Sequence, residues 1–143
     1  MTDPEPVRRS PPLSIGIAAV AATVAALSVV SVPTAAGFGA LGTVLMIGGL
    51  VSGSRLLVDL SGAALALTII VGGSLGVGPA PISVAALAAV VAFDVGDHAH
   101  DLGQQIGRDA RTRRNELTHA GGSLFVGGIA GTIAYAVFFT MAG

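Results

Sequence analysis

From Ser10 to Ser54 the chain carries no Asp, Glu, Lys or Arg, and the same holds from Leu60 to Phe93 and from Leu117 to Gly143. A chain of this size folding in water could not hide so much apolar surface. A bilayer core takes about 20 apolar residues per helix, so the first stretch is long enough for two spans, the second for two and the last for one. Composition agrees, since 52% of the 143 residues are hydrophobic and 10% are charged, against about 25% charged in an average soluble domain. The expected fold class is an all-α integral membrane protein with about five transmembrane helices.

Prolines and glycines mark the breaks. Pro33, within SVPTAAG, divides a span over 13–32 from one over 35–50, and GVGPAP, Gly76 to Pro81, divides 56–75 from 82–95. Proline removes an amide donor and glycine permits a sharp turn. The fourth span is short, about 14 residues or about 21 Å at 1.5 Å per residue, so its helix is expected to continue into the polar residues that follow. The fifth covers 120–142. Residues 1–12, MTDPEPVRRSPP, are polar and Pro-rich and are expected to form a disordered cytoplasmic tail, leaving 13–143 as a single membrane domain. Arg8 and Arg9 ahead of an apolar stretch are also how a signal peptide begins. That apolar stretch is about 20 residues against about 7–15 for a cleaved signal, so the first span is read as retained.

Charge placement tests the partition independently. With five spans, the N-terminus, the turn SGSR and the long polar run fall on one side, and the two proline turns and the C-terminus on the other. All seven arginines, Arg8, Arg9, Arg55, Arg108, Arg111, Arg113 and Arg114, lie on the first side, and no charged side chain lies on the second. The positive-inside rule then places the N-terminus and the polar run in the cytoplasm and Gly143 outside.

Cysteine is absent, which removes disulfides and thiolate metal sites. Lysine is absent as well, and a net charge of -1 points to no nucleic-acid partner. Small residues four apart let helices approach closely in lipid. They occur at Gly49 and Gly53, at Gly72 and Gly76, and in the longest series at Ser123, Gly127 and Gly131, which is the expected helix-packing face of the last span.

The polar run, Phe93 to Ala120, holds all three histidines. On a helix at 100° per residue, Asp94, His98, Asp101, Gln105, Thr112 and Glu116 fall along one stripe. Val95, Ala99, Leu102, Ile106, Ala110 and Leu117 fall opposite. The expectation is an amphipathic cytoplasmic juxtamembrane helix over 94–118, between the fourth and fifth spans, with a turn near Asn115 to Gly122. Leu102, Ile106, Ala110 and Leu117 are its candidate partner-binding residues. A sharper alternative makes Asp94, His98 and Asp101, at i, i+4 and i+7, a zinc, manganese or iron site. Against it, His98 and His100 point about 200° apart on a helix, so a solvated helix face is the reading adopted and no cofactor is expected. Asp59 lies one turn inside the third span, where an ionisable group is a functional candidate. Arg55 precedes it by four residues, and an ion pair between them is the expectation, ahead of a proton or ion site.

The pattern FDVGDHAHDLGQQIGRDARTRRNELTHAGGSLFVG, following Ala- and Val-rich spans and preceding one Gly-rich span, resembles a family of small uncharacterised membrane proteins of halophilic archaea. That family's genes lie beside those for MoxR-type ATPases and their von Willebrand-like partners. The resemblance implies a membrane location and a multi-protein assembly, and it carries over no catalytic residue. The expected partners are the lipid bilayer and a membrane or cytoplasmic protein, or further copies of the chain. The expected function is a non-enzymatic accessory or scaffold subunit docking through its cytoplasmic helix. The alternative is a small channel or transporter component with Thr23, Ser28, Thr68 and Tyr135 lining a pore after oligomerisation, and the third a metal-dependent membrane enzyme using the Asp94, His98, Asp101 stripe. No HExxH, GxSxG or phosphate-binding glycine loop supports the third.

Overall fold

Helix boundaries follow the prolines and glycines closely. A computed structural model describes residues 10–105 and 113–142, and among them lie five helices: α1 Pro12–Ser28, α2 Pro33–Ser52, α3 Arg55–Ser74, α4 Pro79–Gln105 and α5 Arg113–Ala142. Pro12 and Pro33 sit in the first turns of α1 and α2, where the missing amide would have had no helical partner. Val32, the residue before Pro33, is extended at φ -115°, ψ 98°, as the proline ring requires of its predecessor. The first helix therefore stops at Ser28, short of the expected 32. Gly53 and Gly76 take positive φ values of 71° and 89°. The amides of Ser54 and Val77 reach back five residues to the carbonyls of Gly49 and Gly72, each at 2.9 Å, which closes α2 and α3 with Schellman turns.

The helices α1, α2, α3 and α4 form a ring of antiparallel neighbours, and α5 lies outside it against α4. Small residues at helical spacing make the contacts. The buried stripe of α1 is Ser14, Ala18, Ala22 and Ala25. On α4, Ala85, Ala88, Ala92, Val95 and Ala99 are buried at alternating steps of three and four, which is one unbroken face. A Cβ on Gly39 would lie 2.6 Å from the Ala26 Cβ, and one on Gly96 would lie 2.5 Å from the Met46 sulfur. Met46, Leu50 and Leu65 are the largest fully buried side chains of the core among the described residues.

The alternation on α4 runs across the boundary between apolar and polar sequence, so α4 is one helix of 27 residues, about 40 Å long at 1.5 Å per residue. The fourth helix thus continues into the polar residues, as expected, and is described as far as Gln105. Residues 94–105 are the end of α4, residues 113–118 are the start of α5, and 106–112 lie outside the described residues. The turn expected near Asn115 to Gly122 is helical, with Gly121 and Gly122 inside α5. Among the described residues four helices are long and apolar enough to cross a membrane, over Pro33–Ser52, Arg55–Ser74, Pro79–Gly103 and Leu117–Val137, and α1 is a shorter apolar helix.

Candidate functional site: the charged end of the bundle

The antiparallel order brings the start of α3, the end of α4 and the start of α5 to one end of the molecule. Arg55 opens α3 and spreads its guanidinium over three carboxylates. Its Nε lies 3.2 Å from Asp59 Oδ1 on its own helix, Nη2 lies 2.5 Å from Asp97 Oδ1, and Nη1 lies 3.4 Å from Asp101 Oδ1. Asp97 and Asp101 stand one turn apart on α4, so one planar fork can serve both. The Asp97 contact is close but lacks hydrogen-bond alignment, whereas Asp59 and Asp101 accept hydrogen bonds from the guanidinium. Arg55 is about half exposed, and it ties α3 to α4.

A second set joins α4 to α5. Asp94 Oδ2 lies 3.0 Å from His119 Nε2 and accepts a hydrogen bond from the Ser123 hydroxyl. The rings of His98 and His119 stack with centroids 4.0 Å apart and planes 20° from parallel. His100 turns the other way, into the bundle, where it is buried and its Nδ1 has no hydrogen-bond partner. The opposed directions of the HxH pair follow from helical geometry.

Each residue singled out in the sequence can now be placed. Arg55 and Asp59 are paired, and the two further carboxylates on Arg55 were not foreseen. Asp94, His98 and Asp101 do not converge: Asp94 and His98 face α5, while Asp101 faces Arg55. Among the described residues no group of three His, Asp or Glu side chains is arranged to hold a metal ion. Ser123 and Gly127 do meet α4, a Cβ on Gly127 falling 2.6 Å from Leu87 Cδ1, but a Cβ on Gly131 would meet nothing within 4 Å. The packing face of α5 therefore ends one turn earlier than its glycine series. Leu102 is half-buried and Leu117 exposed, while Ile106 and Ala110 lie outside the described residues. The hydroxyls of Thr23, Ser28 and Thr68 donate to carbonyls of their own helices, at Ala19, Val24 and Ala64.

These two sets of ion pairs and hydrogen bonds lie within a stretch that a family model matches over residues 8–143. The chain belongs to DUF7519, a family of unknown function. No curated protein and no solved structure matches it. Membership of DUF7519 therefore assigns no role to Arg55, to its three carboxylates or to the His98 and His119 stack.

Proposed function

We propose that this DUF7519 chain is a multi-pass membrane protein that works by contact, as a non-enzymatic accessory or scaffold subunit of a membrane complex. Its N-terminus and charged end face the cytoplasm and Gly143 faces outside. The observation that carries this reading is how the polar groups are used. At the one charged end of the described structure, Arg55 is spread over Asp59, Asp97 and Asp101, and Asp94 is spent on His119 and Ser123. Groups engaged with one another hold helices in place, while a catalytic centre needs a nucleophile or base facing a substrate. Outside this end large apolar side chains such as Val20, Val44, Ile70 and Ile133 are exposed, as suits helices bathed in lipid.

The likeness to membrane proteins of halophilic archaea supports the same reading, together with an archaeal source and a place in an assembly. Leu102, Ile106, Ala110 and Leu117 are the proposed docking residues. Against the channel alternative, the hydroxyls of Thr23, Ser28 and Thr68 are already bonded within their own helices.

The test is purification of the tagged chain in mild detergent, with mass spectrometry of what accompanies it. A near-stoichiometric partner is expected, lost when Leu102, Ile106 and Leu117 are changed to Asp while the helix content stays the same. A homogeneous oligomer of the chain alone, conducting ions in liposomes, would overturn the reading.

A further inference from the structure

The helices α3 and α4 are tied at one end by Arg55 and joined at the other by the Gly76 turn, and between these points they do not close. A groove of about 510 Å³ opens there, within the range of about 300–1,000 Å³ typical of small-molecule sites. It exists because the facing side chains are small: Ala66 on α3 and Ala89 on α4 line it. Phe93 packs against Gly62, where a Cβ would come within 2.6 Å of the ring, so the aromatic body is held at the charged end of the groove. Immediately beyond it Asp59, Asp94 and Asp97 form the mouth.

The chemistry of that lining selects its occupant. Three aspartates, Asp59, Asp94 and Asp97, are among the lining of the groove, while Arg55 pairs with Asp59, Asp97 and Asp101, His119 faces Asp94, and Arg113 and Arg114 open α5 at the same end. Arg55 reaches only the Oδ1 oxygen of Asp59 and of Asp97, which leaves a second oxygen on each. Carboxylates attract a cation more strongly beside apolar walls than in open water, and an aromatic face adds to the attraction for an organic cation. An anion seated in the groove itself would face the three lining carboxylates.

We propose that the α3–α4 groove binds a small lipophilic organic cation, its apolar body between Ala66 and Ala89 and its charged centre at Phe93, Asp59, Asp94 and Asp97. This site is separate from the docking residues of α5, and it stands whether or not the chain has a protein partner.

The test is binding of radiolabelled tetraphenylphosphonium to the full chain in detergent, with tetraphenylborate as the anionic counterpart of the same shape. Saturable binding of about one phosphonium per chain is expected, at least about tenfold weaker in Asp97→Asn and abolished in Ala66→Phe. Ala66 is exposed, so the larger ring fills the groove without entering the core, and unchanged helix content by circular dichroism is expected for that variant. Should Asp97→Asn lose helix content, Asp94→Asn takes its place beside Ala66→Phe. Binding no greater than to empty micelles, equal binding of tetraphenylborate, or binding untouched by Ala66→Phe would overturn the proposal. So would a co-purified protein released by Ala66→Phe from a chain that takes up no phosphonium, because the groove would then belong to a partner's helix.

Discussion

Arg55 shows how a single side chain can be half legible in a sequence. Its partner at i+4, Asp59, follows from helical spacing alone. Asp97 and Asp101 are more than forty residues away, and only the antiparallel placement of α4 against α3 brings them near. Exposed ion pairs contribute little singly, about 0–1 kcal/mol, but removing the shared cation leaves three carboxylates facing one another. Arg55→Gln is expected to lower stability by about 1 kcal/mol. The loss should shrink as salt rises from 0.1 M to 1 M, where the Debye length falls from about 10 Å to about 3 Å. Thermal unfolding in detergent across that range checks it, and a loss independent of salt would count against the charge argument. Glycines offer a sharper comparison. A Cβ on Gly39 would lie 2.7 Å from the backbone Cα of Ala26, whereas one on Gly37 meets nothing within 4 Å. Gly39→Ala should therefore destabilise by about 1–3 kcal/mol through overpacking. Gly37→Ala should be neutral or stabilising, by up to about 1 kcal/mol of helix propensity. Equal midpoints for the two variants would mean that α1 and α2 do not pack as described.

Among the helices, α4 is the one that runs well past the end of its apolar sequence, as the shortness of that apolar stretch leads one to expect. Apolar character ends near Val95, but the buried spacing of Ala85, Ala88, Ala92, Val95 and Ala99 continues unchanged, and that spacing is readable in the sequence once it is followed through the charges. The helix α5 differs, because its attachment is confined to its first half. Ser123 and Gly127 touch α4, while Gly131 is clear of it and Ile133 and Phe139 are exposed. Repeating glycines announce where a close contact is permitted, and they do not say whether a neighbour is there. The absence of native cysteine makes a direct check simple. The pair His98→Cys and His119→Cys is expected to cross-link under mild oxidation, and Ser83→Cys with Gly131→Cys is not. Efficient cross-linking of the second pair would show α5 packed along the whole of α4.

For the molecule as a whole, the asymmetry of charge is the most consequential property. Among the described residues, Arg55, Arg113 and Arg114 stand at one end, where the ion pairs of α3, α4 and α5 gather. A reporter fused after Gly143 is expected to be active only when it is one that works outside the cytoplasm, and a reporter at the N-terminus should show the opposite. Cytoplasmic activity of the C-terminal fusion would break the five-span arrangement.

The apolar stretches, the prolines and the one-sided arginines were enough to establish helices, their number and their approximate ends, because these depend on local backbone chemistry and on the average polarity of about 20 residues at a time. Which side chains meet was another matter. The sharing of Arg55 among three helix-borne carboxylates, the stacking of His98 on His119 and the open groove between α3 and α4 all join residues distant in the chain. They arise from the order and closeness in which small-residue faces pack, and that order is a property of the assembled bundle.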